Sequence, residues 1–166
     1  MSRLPSLASV AILIALVVVL ATSGGDDEES TPSEATVVRA VDGDTIEVRI
    51  DGTEEDVRYI GVDTPESVKP DTPVQCYALP ASHFNEGLVE GETVRLDFDA
   101  ERRDVYGRLL AYVYVGDEFV NAELVRRGYA RTLTIPPNTR YADLFDRLQR
   151  EAADAHRGLW KECAGA

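Results

Sequence analysis

Short runs of alternating apolar and polar residues, separated by Gly, Asp and Pro, most constrain how this chain can fold. Residues 45–50 place Ile46, Val48 and Ile50 at every second position, which predicts a strand with one buried face. Four further runs have the composition of β-strands. They lie at residues 36–38, 57–62, 93–98 and 109–115. The chain is therefore predicted to contain five strands.

Three helical patterns lie between and after these strands. Residues 80–90 suit a helix with Pro80 in its first turn. Asn121 is predicted to cap a short second helix, and Asn138 or Thr139 to cap the longest one. The apolar stripe of that last helix consists of Tyr141, Leu144, Phe145, Leu148 and Ala152. Five strands interleaved with about three helices predict a mainly β protein of the α+β class, with a five-stranded OB-fold barrel.

The first 35 residues are predicted to lie outside the folded domain. Arg3 precedes an apolar stretch at 7–21, which is shorter than the roughly 20 residues that cross a membrane. Small residues follow it, a pattern typical of a secretory signal peptide. We expect a signal peptide at 1–23, a disordered acidic linker at 24–35 and one domain at 36–163. Cleavage would give a secreted, extracellular protein, whereas an uncleaved segment would tether the protein to a membrane.

The charge of the chain is strongly negative, at −13 in formal terms. Only Lys69 and Lys161 are lysines among its 17 basic residues. An acidic surface poor in lysine is typical of proteins from concentrated salt, where screening weakens self-repulsion. The alternative is an acidic surface that only keeps the protein soluble. A basic surface, the usual mark of a nucleic-acid binder, is not evident from composition.

Two cysteines, Cys76 and Cys163, are present. An even count in an exported chain predicts a disulfide, which would tie the start of the first helix to the C-terminal tail. Two unpaired thiols are the alternative.

Three turns carry acidic residues or arginines. The first contains Asp42 and Asp44, the second follows the strand at 57–62 as Asp-Thr-Pro-Glu at 63–66, and the third spans 104–108. Each turn alone has an ordinary structural explanation as a hairpin, a helix cap or a strand boundary. Carboxylates without His or Cys suit a hard cation such as Ca²⁺ or Mg²⁺, and arginines suit a phosphate. Together, these groups indicate phosphodiester chemistry.

In this order, the three motifs resemble the staphylococcal nuclease (thermonuclease) family. The resemblance covers about residues 36–161. It rests on residues 41–45, 58–66, 104–108, 110–114, 120–121, 124–128 and 158–160. The resemblance implies the same OB-fold barrel and a hydrolase that cuts DNA or RNA.

The resemblance also implies a role for each site residue. Asp44, Asp63 and the backbone carbonyl of Thr64 match the ligands of a Ca²⁺ ion, and Asp42 matches a supporting acid. Arg58 and Arg108 match the two arginines that bind the phosphate and stabilise the transition state. Glu66 matches the carboxylate that orients or deprotonates the attacking water, and Tyr106 matches a tyrosine beside the phosphate. The implied reaction breaks the bond to the 5′ oxygen and leaves 3′-phosphate ends.

One segment departs from the family pattern. Residues 131–137 contain no tyrosine, whereas the family lines its nucleotide pocket with tyrosines there. The choice between DNA and RNA, and any base preference, therefore stay open. Two other functions compete with catalysis: a non-catalytic module that binds single strands, and a structural calcium-binding domain. A monomer without a protein partner is expected.

Overall fold

The structure, a computed structural model, describes residues 33–68, 71 and 73–163. The predicted signal peptide at 1–23 and the predicted linker up to residue 32 lie outside these residues. The described part forms eight strands and four helices. In chain order they are β1 Ser33–Ala40, β2 Thr45–Ile50, β3 Thr53–Tyr59, β4 Gly61–Asp63, α1 Ala78–Val89, β5 Thr93–Asp97, β6 Leu109–Val115, β7 Glu118–Phe119, α2 Val120–Arg126, β8 Arg131–Leu133, α3 Ala142–Asp154 and α4 Leu159–Glu162.

Five of the strands close into a barrel. Strands β1, β2 and β3 pair antiparallel in chain order, β5 joins the free side of β1, and β6 pairs with β5. Strand β6 then returns to β3 in a parallel pair, with Val57 opposite Leu109. This closure satisfies every edge of the five-stranded sheet and confirms the predicted α+β OB-fold barrel.

The barrel interior is filled by the apolar side chains that alternate along its strands. Ile46 and Val48 of β2 are fully buried, as are Val94 and Leu96 of β5. Helix α3 closes one side because Phe145, Leu148 and Ala152 of its apolar stripe are buried. The predicted stripe on this helix is therefore the face that packs.

The first strand begins earlier than predicted. Ser33 pairs with Leu96 and Ala35 pairs with Val94, so residues 33–35 belong to β1 and not to the predicted linker. Ala35 is a small apolar residue that is 4% exposed, and its burial favours extending the ladder. The domain boundary therefore lies before residue 36.

The predicted third strand is broken near its end. Strand β3 stops at Tyr59, and Gly61 adopts a left-handed φ of 80° that starts the short strand β4. A Cβ on Gly61 would lie 2.3 Å from the ring of Phe145, so only glycine fits against α3 here. Strand β4 leaves the barrel and pairs with β8, with Asp63 opposite Arg131. The break carries Asp63 out of the barrel wall.

Two predicted helix caps are wrong. Asn121 lies within α2 and is fully buried, where it accepts a hydrogen bond from the backbone of Val113 and donates one to the carbonyl of Ile60. Asn138 precedes α3, but its amide bonds both backbone groups of Glu101. No side-chain cap bond is present at either helix, so Thr139, the alternative cap of α3, is wrong as well. Each asparagine thereby joins segments that are distant in the chain, by satisfying backbone N–H and C=O groups.

The C-terminal end carries a fourth helix, the single turn α4, which the sequence pattern did not predict. The residue after it, Cys163, forms a disulfide with Cys76 just before α1, across a Cα–Cα distance of 5.9 Å. The predicted pairing is therefore confirmed. None of the helices in the described ranges has the length and apolar character needed to cross a bilayer.

Candidate active site

The tight turn between β1 and β2 presents Asp44 to the second acidic turn. Asp44 is 5% exposed, and its Oδ2 accepts hydrogen bonds from the backbone N–H of Thr64 at 2.6 Å and the Thr64 hydroxyl at 2.9 Å. Gly43 makes this approach possible, since a Cβ there would lie 2.6 Å from Thr64 Oγ1. The glycine of this motif therefore fixes the contact between two turns that are 20 residues apart.

A buried chain of hydrogen bonds also holds the turn between β1 and β2 on its side facing the core. The Tyr59 hydroxyl donates to Asn85 Oδ1 at 2.8 Å, and Asn85 Nδ2 donates to the carbonyl of Asp42 at 2.8 Å. The backbone N–H of Tyr59 also donates to the carbonyl of Asp44. Sequence reasoning missed Asn85, because an asparagine within a helix gives no signal of a partner 43 positions away.

Arg58, at the end of β3, links four positions of the site. Its Nε lies 3.3 Å from Asp44 Oδ1, and its Nη2 lies 3.1 Å from Asp63 Oδ1. Its Nη1 donates to the carbonyls of Tyr59 and Val62. A guanidinium has five N–H donors, so one Nη2 donor remains without a partner among the described residues. The two predicted metal-binding carboxylates are thus held on one side chain that is only 15% exposed.

The carboxylates of this site repel one another. The pKa of Asp42 is raised to about 6, chiefly by burial and by the nearby charge of Asp44, with a smaller contribution from Glu66. The hydrogen bond from the Asp44 backbone N–H and the charge of Arg58 oppose this rise. Asp42 Oδ1 accepts that N–H at 3.0 Å. Crowded carboxylates of this kind favour a bound cation, which would relieve the repulsion.

Glu66 is placed beside this group by its own loop. Its Oε1 accepts the backbone N–H of Val68 at 2.9 Å. Gln75 holds the Glu66 backbone on both sides, since its side-chain oxygen accepts the Glu66 N–H at 2.9 Å and its own N–H donates to the Glu66 carbonyl at 3.0 Å. The next residue, Cys76, carries the disulfide. Sequence reasoning missed Gln75, and no motif marks it.

The third turn presents Arg108 at the start of β6. Asp104 Oδ1 accepts the backbone N–H groups of Tyr106 and Arg108, and its Oδ2 accepts Arg108 Nε at 2.7 Å. Burial alone would raise the pKa of Asp104, but these hydrogen bonds outweigh burial and lower it. The Nη groups of Arg108 have no hydrogen-bond partner in the described ranges. An Asp four residues before an Arg is the signal that could have identified Asp104 as the residue that positions Arg108.

Both arginines line one open cavity of about 330 Å³. Tyr106, which is 83% exposed, stands at its rim beside Arg108, 5.6 Å from the guanidinium to the ring centre. The other walls are largely apolar and include Ile60, Leu110, Leu133 and Ile135. The last two come from the segment that lacks tyrosine. The cavity can therefore receive a phosphate at its arginine end and a flat apolar group against its walls.

Comparison with known proteins shows what this arrangement belongs to. Residues 56–162 match the family described as Staphylococcal nuclease homologue. The chain belongs to this family. It is 48% identical over 125 residues to a thermonuclease of Staphylococcus intermedius, covering 75% of this chain and 74% of the relative. It is 44% identical over 124 residues to a thermonuclease of Staphylococcus hyicus, covering 75% of this chain and 73% of the relative.

A relative from another genus gives a similar match. The chain is 45% identical over 129 residues to endonuclease YncB of Bacillus subtilis (strain 168), and the match covers 76% of this chain and 61% of that protein. Membership of the staphylococcal nuclease family and the OB-fold barrel thus agree with the motifs in the three turns.

The donor set of the site fits the hard divalent cation that the family resemblance implies. Asp44, Asp63 and the Thr64 carbonyl offer oxygen atoms only, which Ca²⁺ prefers. No group of three or more His, Cys, Asp or Glu side chains in the described part of the chain is arranged to hold a metal ion. The predicted ligands include two carboxylates and one backbone carbonyl, so they do not require a third acidic side chain. The cation would sit between the first and second acidic turns, beside Asp42.

The structure brings together the predicted site residues from distant parts of the chain. Asp44, Arg58, Asp63 and Thr64 share direct contacts, and Asp42 and Glu66 lie close enough for their charges to interact. Arg108 and Tyr106 line the same cavity as Arg58, but among the described residues they make no direct contact with the two acidic turns. The catalytic and metal-binding roles of these residues stay predictions.

Proposed function

We propose that this chain is a Ca²⁺-dependent nuclease that hydrolyses phosphodiester bonds of DNA or RNA and leaves 3′-phosphate ends. Hydrolytic nuclease activity is the part of this proposal that family membership supports directly. The metal, the products and the residue roles rest on the resemblance of the motifs and on the chemistry of the site.

One observation carries the proposal. Arg58 and Arg108, from separate strands, line the same cavity, and Arg58 also contacts both Asp44 and Asp63. Two guanidinium groups next to a pair of crowded carboxylates combine phosphate binding with a cation site. A structural calcium-binding domain would leave the free Nη groups of Arg108 and the exposed cavity without a purpose.

The residues divide the chemistry among them. Ca²⁺, when bound by Asp44, Asp63 and the Thr64 carbonyl, would supply positive charge that neutralises a phosphate oxygen. Arg58 and Arg108 donate hydrogen bonds to the other phosphate oxygens, where charge develops in the transition state. Glu66 orients or deprotonates the attacking water. The water oxygen bonds to phosphorus, the bond to the 5′ oxygen breaks, and that oxygen takes a proton.

A cleavage assay tests this proposal with the variant Asp44→Asn. We expect wild-type turnover to depend on added Ca²⁺ and the products to carry 3′-phosphates. Asp44→Asn keeps the shape of the side chain and its contacts with Thr64 but removes the charge, so it should abolish turnover and weaken Ca²⁺ binding in calorimetry. Thermal unfolding checks that the variant folds.

The cleavage assay of the wild type at low and at molar salt tests whether the acidic surface is an adaptation to concentrated salt.

Two outcomes would contradict the proposal. Near-wild-type turnover of Asp44→Asn would exclude the proposed metal site. Tight binding of a single strand without any cleavage, with Ca²⁺ present, would support the non-catalytic binding module instead.

Export completes the proposal. We infer that the N-terminal segment directs the protein out of the cell, where it acts as a monomer. The disulfide between Cys76 and Cys163 supports an oxidising environment, because cytosolic thiols are kept reduced in most organisms. Mass spectrometry of the native protein should find a new N-terminus near residues 21–23 in the medium. An intact Met1 or Ser2 in a membrane fraction would show an anchor instead.

A further inference from the structure

The positive charge of this acidic protein is concentrated near its C-terminal end. Residues 126–161 hold eight basic and four acidic side chains, whereas residues 33–125 hold eight basic and 21 acidic ones. An acidic nuclease needs a local region where a polyanionic substrate is attracted and not repelled. Residues 126–161 are where such a region can form.

Two glycines bring part of this charge together. A Cβ on Gly128 would lie 2.3 Å from the carbonyl oxygen of Arg157, and a Cβ on Gly158 would lie 2.2 Å from the carbonyl oxygen of Gly128. The end of α2 therefore packs directly on the backbone that precedes α4. As a result, Arg157 Nη1 donates to the carbonyl of Arg126 at 3.1 Å.

A further arginine extends this group. The guanidinium of Arg131 lies 5.5 Å from the ring centre of Trp160, and Trp160 Cδ1 is 3.2 Å from the Cβ position of Gly128. We refer to Arg126, Arg127, Arg131 and Arg157 as the arginine cluster. Glu123 contacts the first two of these, with Nε of Arg127 at 2.9 Å from its carboxylate. Arg131 and Arg157 have no carboxylate partner in the described part of the chain.

The arginine cluster begins at the proposed active site. In the β4–β8 ladder, the backbone of Arg131 lies directly opposite that of Asp63, and the two side chains form no ion pair. Paired residues of antiparallel strands project to the same side of the sheet, about 5 Å apart. Asp63 is the carboxylate that Arg58 contacts at 3.1 Å. A strand bound with its scissile phosphate at Arg58 could therefore continue past Arg131 towards Arg157.

We propose that the arginine cluster is a second binding surface for the substrate, which takes backbone phosphates of the single strand that flanks the cleaved bond. The proposal rests on the proposed nuclease function. Guanidinium groups that form no ion pair with a carboxylate suit phosphates. Continuity with the arginines of the cavity favours nucleic acid over an acidic peptide, because a single strand presents phosphates at both places.

Binding and cleavage of long and short strands test this surface. The probes are labelled oligothymidylates of about 20 and about 3 nucleotides, chosen to exceed and to fall short of the span of one OB-fold. Arg131→Gln with Arg157→Gln should weaken binding of the long strand about tenfold, measured by anisotropy in EDTA. The slope of log affinity against log salt should fall by about 1.4, since each lost phosphate contact contributes about 0.7. The preference in kcat/KM for the long strand over the short one should fall by a similar factor.

Two further double variants complete the design. Arg39→Gln with Arg49→Gln removes the same charge from the exposed β1–β2 hairpin and should leave the length preference unchanged. Arg131→Lys with Arg157→Lys keeps the charge and should retain most of the preference, because single phosphates accept lysine. Equal losses on long and short strands, or an equal effect of the Arg39 and Arg49 pair, would overturn the proposal. If the wild type cuts neither strand, the nuclease function fails, while anisotropy still decides whether the arginine cluster binds single strands.

Discussion

The two arginines that line the cavity are held in different ways. Arg58 contacts carboxylates or carbonyls from the first turn, from β3 and from β4, and is 15% exposed. Arg108 is oriented within its own turn by Asp104 and is 32% exposed. Arg58 therefore links distant segments, whereas Arg108 depends on five consecutive residues. The comparison indicates that Arg58 helps to hold the fold together, whereas Arg108 is positioned by a local turn and contributes little to stability.

The largest effect should appear in turnover. Arg108→Lys loses the forked pair of Nη groups, and Arg58→Lys loses the remaining Nη2 donor while keeping the charge. Each should reduce kcat about 10²- to 10³-fold, the usual loss for one preorganised transition-state donor. Steady-state cleavage of a defined oligonucleotide measures both. Arg39→Lys, on the exposed side of the barrel, is the matched control and should change little. Wild-type kcat in either site variant would remove that arginine from the proposed mechanism.

A smaller effect should separate the two arginines. Arg58→Lys leaves the carbonyls of Tyr59 and Val62 and the Asp44 carboxylate without part of their hydrogen bonding, so the free energy of unfolding should fall by about 1–3 kcal/mol. Arg108→Lys disturbs one local, partly exposed pair and should cost less than about 0.5 kcal/mol. Urea unfolding of both variants measures the difference. Equal losses of unfolding free energy in the two variants would contradict the proposed difference between Arg58 and Arg108.

The sequence predicts the barrel well where one face of a strand is buried. The predicted bounds of β2 and β6 match the structure because apolar alternation ends at clear turns. The break after Tyr59 was missed because the apolar run continues through Ile60 and Val62, and only the contact between Gly61 and Phe145 reveals it. The apolar periodicity of a segment cannot reveal a contact between two residues that lie 84 positions apart in the chain.

The site shows the same division. The motifs identify the charged side chains, since their types and order carry the chemistry. The residues that hold them were not predicted: Asn85 supports the first turn, and Gln75 supports the loop of Glu66. Both side chains bond backbone carbonyl or N–H groups. Because almost every residue carries such groups, the residue type of the bonded partner gives no signal in the sequence. The cap predictions for Asn121 and Asn138 fail for the same reason, because both side chains bond distant backbone groups instead.

The variant Glu66→Gln tests the central claim most directly, because it separates metal binding from preparation of the water. Turnover and Ca²⁺ affinity should be measured together, by cleavage kinetics and by calorimetry. The amide can keep the contact with Val68 but cannot take a proton, so we expect kcat to fall about 10²- to 10⁴-fold while Ca²⁺ affinity changes little. Near-wild-type kcat with unchanged Ca²⁺ affinity would contradict the role of Glu66 and the mechanism proposed for this site.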